Sequence, residues 1–279
     1  MNDIREIPVL DLPVAFIGGG NMASAIIGGL IRQGLDATRI EVVEPFEEAR
    51  AKLAQQFAIT AQSEAGPFLS RAAVVVWAVK PQTFRDAAAA VAPHAPKALH
   101  LSVAAGISSD SISGWLNTGR VVRAMPNTPA LVGQGMTGLF ARPEVGEADR
   151  ELIATMLRPT GRTLWVDAEK QLDAVTALSG SGPAYVFYFL ESMVKAGLEM
   201  GLSAEQARAL SIATFQGASH LAAASNDPLE EMRQRVTSKG GTTYAALTSM
   251  ERAGMQDSFV AALHAAEKRA HELGEEFGR

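Results

Sequence analysis

Three small residues near the start of the chain form a pattern that can bind a phosphate group. Gly18, Gly20 and Ala23 lie in the segment FIGGGNMA, between a predicted buried strand and a predicted helix. Gly18 permits a tight turn, Gly20 lets the backbone approach a pyrophosphate, and Ala23 allows close packing of helix on strand. The first N–H groups of the helix would then face the anion. This context predicts a dinucleotide site, and a glycine-rich turn without a ligand is the alternative.

The end of the second predicted strand bears on which nicotinamide dinucleotide binds. Glu44 closes the segment RIEVVE, where a carboxylate accepts hydrogen bonds from the ribose hydroxyls and repels a 2′-phosphate. Arg50 lies on the following predicted helix and could still reach such a phosphate. The sequence therefore favours NADH and leaves NADPH open.

Further candidate residues follow later strands, at the edge where doubly wound sheets place their ligands. Lys80, in the segment WAVKPQ, is either a catalytic residue or a surface lysine near the cofactor. Asn127, in MPNTPA, is expected to hydrogen-bond within its loop or to the nicotinamide side. The predicted cofactor-binding residues are Gly18, Gly20, Asn21, Met22, Ala23, Glu44, Ala78, Val79, Lys80, Pro81, Ala104 and Asn127.

A second distinctive stretch lies near the other end of the chain. The segment TSKGGTT places Gly240 and Gly241 between hydroxyl-bearing residues, with helical sequence on both sides. Glycine is a poor helix former. The residues alone therefore predict a helix break at this point.

Composition is that of an ordinary globular protein. The chain has 279 residues, of which 47% are hydrophobic and 20% charged, and its net charge of −5 argues against a nucleic-acid partner. The absence of cysteine excludes disulfides and thiolate chemistry, and the five histidines lack metal-ligand spacing, so we expect no metal. The first ten residues do not resemble a secretion signal, and the sequence has no long apolar run. We therefore expect a cytoplasmic protein without a membrane partner.

Apolar strands alternate with helices through the first part of the chain, which predicts a doubly wound parallel sheet. From residue 168 onward the periodicity is helical. We place one domain at residues 1–167 and a second at residues 168–279, joined by the start of a helix. Helices such as GPAYVFYFLESMV are apolar on more than one face. A second subunit would cover the surplus, and burial within the same domain is the alternative.

Six motifs in the chain together resemble the pyrroline-5-carboxylate reductase family. They are IGGGNMA, AVKPQ, SVAAGIS, VRAMPNTPALVGQG, ALSGSGPAYVF and VTSKGGTTYAAL, in the family's order and rough spacing. The resemblance implies an α/β chain with an N-terminal Rossmann-type doubly wound parallel sheet and an all-helical C-terminal dimerisation domain. It also implies a homodimer with interlocked helical domains, and rings of dimers occur in the family.

The same resemblance implies NADPH- or NADH-dependent reduction of Δ1-pyrroline-5-carboxylate to L-proline, by hydride transfer to the imine carbon. It assigns TSKGGTT as the substrate loop, usually supplied across the dimer, with Val236 packing near the nicotinamide ring. Thr243 would place its hydroxyl nearest the ring nitrogen of the substrate, or alternatively cap the following helix. The implied substrate-binding residues are Val236, Ser238, Gly240, Gly241, Thr242 and Thr243, with Thr243 and Ser238 as the catalytic pair.

Two positions depart from the family pattern. Lys239 stands where many relatives carry proline, and we expect it to face solvent, the alternative being that it attracts the substrate carboxylate. Some relatives also carry an acidic residue near the substrate nitrogen, a position that either Asn226 or Asp227 could occupy here.

Two other functions compete with this interpretation. One is a reductase of another cyclic imine or small acid with the same two-domain build. β-Hydroxyacid dehydrogenases of this build place a catalytic lysine on the first long helix after the boundary, whereas Lys195 lies about three turns into that helix. The other is a nucleotide sensor without turnover, against which the intact TSKGGTT loop argues.

Overall fold

The computed structural model describes residues 11–278, which form two compact units. Unit 1 comprises the chain up to Ser181 together with the residues from Ala266 onward, and unit 2 comprises Gly182–Ala265. The first ten residues, for which the sequence predicts no secretion signal, lie outside the described residues.

Unit 1 is built on a seven-stranded sheet with the strand order β2-β1-β3-β4-β5-β6-β7. Every neighbouring pair is parallel except β5 and β6, which run antiparallel with Val122 opposite Ala141. The strands are β1 (Val14–Ile17), β2 (Ile40–Val43), β3 (Val74–Trp77), β4 (Leu99–Ser102), β5 (Val121–Met125), β6 (Gly135–Ala141) and β7 (Gly161–Trp165).

Eleven α-helices are found among the described residues. Those of unit 1 are α1 (Asn21–Arg32), α2 (Glu47–Phe57), α3 (Pro81–Val91), α4 (Ser109–Leu116), α5 (Glu147–Leu157) and α6 (Gln171–Val175). Unit 2 contains α7 (Gly182–Glu199), α8 (Ala204–Ala224), α9 (Leu229–Arg235) and α10 (Thr242–Arg252), while α11 (Met255–Phe277) begins in unit 2 and ends in unit 1. Within the described part of the chain, no helix has both the length and the apolar character needed to cross a bilayer.

Helices cover both faces of the sheet, which is why its inner strands are apolar throughout. Val14 and Phe16 of β1 pack in one hydrophobic cluster with α1, whereas Ala15 and Ile17 pack in the other with α3. All four residues are almost completely buried. A strand enclosed on both faces needs no polar alternation. The predicted combination of a doubly wound sheet and a helical C-terminal domain is confirmed.

Strand β6 and its direction were not foreseen from the sequence. It contains two glycines, Gly135 and Gly138, and glycine inside an apolar run weakens a strand prediction. Tertiary packing explains both of them, because a Cβ on Gly138 would lie 2.7 Å from the side chain of Val175 and a Cβ on Gly135 would lie 2.6 Å from the carbonyl oxygen of Thr160. The sheet is therefore mostly parallel, not wholly parallel as expected.

The two compact units divide at a different point from the predicted boundary after Asp167. Between Asp167 and Ser181, helix α6 and a π-helix (Thr176–Gly180) belong to unit 1. A Cβ on Gly180 would collide there with the Met125 side chain. The end of α11 returns to unit 1 as well, where Leu273 approaches Gly106 closely. The division of the chain into domains 1–167 and 168–279 stays a prediction.

A buried histidine links two central strands. The indole Nε1 of Trp77 donates a hydrogen bond of 3.1 Å to Nδ1 of His100, and both side chains are inaccessible to solvent. Trp77 also stacks on Phe84, with ring centroids 4.8 Å apart. Burial lowers the pKa of His100 from 6.5 to about 4. The imidazole is therefore neutral at physiological pH and serves as an acceptor.

This histidine predicts a pH-dependent stability. Protonation at Nδ1 removes the acceptor for Trp77, so the folded state resists it until the pH approaches 4, whereas the unfolded chain takes up the proton near 6.5. The contribution of neutral His100 to the free energy of unfolding is fully present above pH 6.5. It is lost as the pH falls through the folded-state pKa of about 4, and the total loss is about 3 kcal/mol. Urea unfolding of the wild type and of His100→Gln across this range measures the difference. Glutamine keeps an acceptor but does not titrate, so equal pH slopes for the two proteins would contradict this role.

Candidate active site

The predicted cofactor residues of unit 1 follow the carboxyl ends of five neighbouring strands. Ala78 to Pro81 follow β3, Ala104 follows β4, and Asn127 follows β5. The glycine turn follows β1, and Glu44 follows β2. Because these strands are parallel neighbours, their carboxyl ends share one edge of the sheet, the edge at which such folds bind ligands.

The turn between β1 and α1 passes tightly between the neighbouring strands. The N–H of Gly18 donates to the carbonyl of Val43 at 2.8 Å, and Gly18 has a φ of +96°. A Cβ at this position would lie 2.5 Å from the carbonyl oxygen of Ala78. Both the backbone conformation and the space therefore require glycine here.

The start of α1 offers backbone donors to an anion. Gly20 is the N-cap residue, no side chain caps the helix, and its first turn contains no acidic residue. The space beside the Gly20 Cα is open, with no atom within 4 Å of a Cβ built there. Ala23 is fully buried and lets the helix pack on the sheet. A helix start with free N–H groups and open space before it fits a pyrophosphate.

Glu44 holds the glycine turn through its carboxylate. Oε2 accepts from the N–H of Gly19 at 2.7 Å, and Oε1 accepts from the N–H of Phe46 at 2.9 Å. Arg50 donates through Nη1 to the carbonyls of Glu44 and Pro45. Glu44 thus has a contact within the protein that the sequence did not predict, in addition to its position beside a ribose site.

Lys80 and Ala104 occupy different environments at this edge. Lys80 is exposed and is the N-cap residue of α3, whose helix begins with Pro81. Ala104 is buried, and its N–H donates to the hydroxyl of Ser102 at 3.3 Å. Neither position provides a buried acid or base, so their part in a site would be contact with a cofactor.

Both polar atoms of the Asn127 side chain have hydrogen-bond partners within unit 1. Its Oδ1 accepts from the N–H of Met136 at 3.0 Å, and its Nδ2 donates to the hydroxyl of Ser179 at 3.1 Å. Ser179 belongs to the π-helix, an arrangement that is frequent at functional sites. Asn127 thereby fixes the loop after β5 against the π-helix, in agreement with the first of its two expected roles.

Unit 2 holds the second candidate set, around the break between α9 and α10. Gly240 has a φ of +77°, and the N–H of Gly241 donates to the carbonyl of Ser238 at 3.0 Å, which closes a tight turn. A Cβ on Gly241 would lie 2.7 Å from the Ser238 hydroxyl. The turn opens onto a cleft of about 400 Å³ lined by the glycine pair and by residues of α10, including Tyr244, Thr248 and Arg252. The predicted helix break is confirmed.

The structure excludes the alternative that Thr243 caps helix α10. The N-cap residue is Gly241, and no side chain accepts a capping hydrogen bond there. Thr243 is instead the second residue of the helix, half-buried, and its hydroxyl has no partner among the described residues. Backbone donors and hydroxyl groups thus lie together at the start of α10 without an internal acceptor. This arrangement can bind a carboxylate.

The remaining residues of this region have simpler environments. Lys239 and Val236 are exposed, the latter with 68% of its surface accessible. Asp227 pairs with Arg235, whose guanidinium lowers the pKa of that carboxyl. Asn226 is exposed. Asp227 is therefore already occupied by an ion pair within unit 2.

The sequence did not predict the hydrogen-bonding roles of two residues near this edge of the sheet, Ser179 and Glu169. Ser179 accepts from the Asn127 side chain. Glu169 accepts from the Ser109 N–H and hydroxyl at 2.6 Å each and from Arg123 at 2.8 Å. A cluster of small residues, SGSG, was the available signal for Ser179, whereas nothing local marked Glu169.

Comparison with sequence models of known families gives two matches. Residues 169–273 match the model described as pyrroline-5-carboxylate reductase dimerisation. Residues 13–106 match the model described as NADP oxidoreductase coenzyme F420-dependent. The two matches fall on the helical part of the chain and on the part carrying the glycine turn.

Full-length relatives cover almost all of the chain. The pyrroline-5-carboxylate reductase of Pseudomonas aeruginosa is 45% identical over 95% of this chain and 98% of its own length. That of Haemophilus influenzae is 41% identical over 93% of this chain and 97% of its own length.

Solved structures of similar proteins agree. A pyrroline-5-carboxylate reductase from Coxiella burnetii superposes with a TM-score of 0.87 at 36% identity, covering 95% of this chain and 99% of that one. The Plasmodium falciparum pyrroline carboxylate reductase, solved with NADP bound, gives 0.84 at 26% identity, covering 94% and 98%. The chain has the glycine turn and the uncapped start of α10, and it is up to 45% identical to these enzymes over almost its whole length. It therefore belongs to the pyrroline-5-carboxylate reductase family.

Proposed function

We propose that this chain reduces Δ1-pyrroline-5-carboxylate to L-proline with NADPH or NADH. The observation that carries this proposal is the start of α10, where backbone N–H groups and the Ser238, Thr242 and Thr243 hydroxyls stand together without a capping side chain. Such a group of donors is suited to binding one carboxylate. Family membership supplies the reaction, because the relatives are named for it.

The nicotinamide, when bound, supplies the hydride that reaches the imine carbon. The chain's own contribution is binding and orientation, which can lower a barrier by about 7–11 kcal/mol at best. The Ser238 hydroxyl and the N–H group of Thr242, beside the Gly240–Gly241 turn, would hold the substrate carboxylate. Thr243 would hydrogen-bond the ring nitrogen, which becomes the amine of proline. A protonated imine is already a good electrophile, so no buried general acid is required.

In unit 1 the start of α1 would hold the pyrophosphate and the ends of β3 to β5 the nicotinamide side. The pyrophosphate would contact the Gly18 turn, Asn21, Met22 and Ala23. The nicotinamide side would be surrounded by Ala78, Val79, Lys80, Pro81, Ala104 and Asn127. Asn127 acts on the loop backbone, since its side chain is already used by Met136 and Ser179.

The assay follows NADH or NADPH absorbance with pyrroline-5-carboxylate and identifies L-proline by mass spectrometry. A matched substrate is 1-pyrroline, which has the same ring without the carboxylate. We expect its kcat/KM to be at least about 100-fold lower, because the remote carboxylate binding is used to position the imine. Absence of proline with both cofactors would refute the activity, and equal rates for the two imines would favour the alternative, a general cyclic-imine reductase.

We further propose that two copies of the chain associate through unit 2. The matched family model is that of a dimerisation domain, and unit 2 exposes large apolar side chains on α7 and α8. Soluble monomers rarely expose so much apolar surface. The prominent residues on these two helices are Phe187, Tyr188, Leu210 and Leu221, and Met200 directly after α7 and Leu229 at the start of α9 are exposed as well. The helices of two copies would interlock, the TSKGGTT loop of one would face the nicotinamide of the other, and rings of dimers would follow from further contacts.

Leu210→Asp is expected to separate the dimer into monomers. Leu210 lies in the first half of α8 with 57% of its surface exposed, and an unpaired carboxylate buried in an interface costs about 3–5 kcal/mol. Light scattering coupled to gel filtration measures the mass, with Leu210→Met as the apolar control. A monomeric wild type, or a dimer that tolerates Leu210→Asp, would contradict the proposed interface. The expected cytoplasmic location stays a prediction.

A further inference from the structure

We infer that Glu44 makes this chain select NADH over NADPH, an inference that rests on the proposed use of a nicotinamide dinucleotide. The residue follows β2, at the position next to the glycine turn where the adenosine ribose lies in folds of this type. Only 6% of Glu44 is accessible to solvent. A carboxylate at this depth cannot swing away to admit a second anion.

Two backbone bonds fix the orientation of this carboxylate. The Gly19 N–H lies 2.7 Å from Oε2 and the Phe46 N–H lies 2.9 Å from Oε1, so each oxygen is held from one side. Each carboxylate oxygen retains further acceptor capacity. The 2′- and 3′-hydroxyls of an unmodified ribose can use it as donors, whereas a 2′-phosphate has only negatively charged oxygens to present.

The surrounding charges strengthen this preference. Helix α2 begins directly after the turn with Glu47 and Glu48 in its first turn, and both are exposed. The buried Glu44 carboxylate and the two acidic residues that follow it in sequence give this end of β2 a negative charge, and like charges in close juxtaposition weaken binding. This charge disfavours a 2′-phosphate beside Glu44.

Arg50 is the nearby cation that could oppose this effect. Its Nη1 donates to the carbonyl oxygens of Glu44 at 2.9 Å and Pro45 at 2.7 Å. The guanidinium therefore closes the turn after β2 through one of its nitrogens, Nη1. We assign Arg50 to the support of this turn.

Direct binding of cofactor fragments tests the selectivity without any turnover. Calorimetry with ADP-ribose and with 2′-phospho-ADP-ribose gives two dissociation constants for each protein, and their ratio cancels any general loss of folded protein. For the wild type we expect ADP-ribose to bind at least about 10-fold tighter. Glu44→Ser should move the ratio towards the phosphorylated ligand by about 100-fold, and Glu44→Gln should move it in the same direction.

Two further variants serve as controls. Glu151→Gln removes one carboxylate from α5 and should leave the ratio unchanged. Arg50→Ala should weaken both ligands alike if Arg50 supports the turn, and a selective loss of the phosphorylated ligand would overturn the inference. Equal binding of the two ligands by the wild type, or an unchanged ratio in Glu44→Ser, would also overturn it while leaving the proposed function intact. Failure to bind either ligand would overturn both.

Discussion

Replacing Thr243 with alanine is expected to lower kcat/KM for pyrroline-5-carboxylate by about 10- to 100-fold, the value of one hydrogen bond of about 1.5–3 kcal/mol to a charged group. The hydroxyl is half-buried at the second position of α10 and does not cap the helix. Its removal should therefore leave the free energy of unfolding and the dissociation constant of the cofactor almost unchanged. Steady-state kinetics, cofactor titration and thermal unfolding measure the three quantities.

Thr242→Ala is the matched control for this prediction. It removes the neighbouring, exposed hydroxyl from the first position of the same helix. We expect a smaller loss, confined mainly to KM, because Thr242 is assigned to carboxylate binding. Activity of Thr243→Ala within twofold of the wild type would show that its hydroxyl does not act on the reacting ring.

The second large effect is expected for Gly18→Ala, which should abolish measurable dinucleotide binding. A side chain at a φ of +96° costs about 1–2 kcal/mol, and its Cβ would lie 2.5 Å from the Ala78 carbonyl oxygen. The turn must therefore move, and it carries with it the Gly19 N–H bond to Glu44 and the start of α1. We expect a fall in unfolding free energy of about 2–4 kcal/mol together with the loss of binding.

Gly20→Ala separates the loss of dinucleotide binding from the loss of stability. Gly20 has an ordinary φ of −72°, and no atom lies within 4 Å of a Cβ built on it. The variant should fold with nearly wild-type stability, yet bind NADH more weakly because the methyl group occupies the approach of the pyrophosphate. Unchanged NADH affinity in Gly20→Ala would place the pyrophosphate elsewhere, and full stability in Gly18→Ala would contradict the strain argument.

Mixing the Gly18→Ala and Thr243→Ala proteins tests whether each site uses two chains. In a mixed dimer of Gly18→Ala and Thr243→Ala, one site would carry both defects and the other neither, provided the loop is supplied across the interface. Random association should then restore about a quarter of the wild-type activity, because half of the dimers contain one intact site of two. If each site is formed within a single chain, the mixture shows no more than the residual activity of its two components.

Short-range patterns in the sequence predicted the elements at which we expect the chemistry to take place. A glycine turn between strand and helix, a glycine pair between helices and apolar strands in alternation each depend on a few neighbouring residues. They were enough to predict the doubly wound sheet, the start of α1 as an anion site and the break before α10. The helical second part and its surplus of apolar surface were also evident, because periodicity is a local property.

Tertiary structure alone decided the matters that depend on residues distant in sequence. The partners of Glu44 and Asn127, the antiparallel course of β6 and the return of α11 to unit 1 all arise from contacts across many residues. The surroundings of Thr243 depended instead on local backbone geometry. Its sequence position is compatible with capping, and the structure, in which Gly241 is the N-cap residue, leaves its hydroxyl available. Local sequence states which groups exist, whereas the fold determines which of them are already satisfied and which remain to bind a ligand.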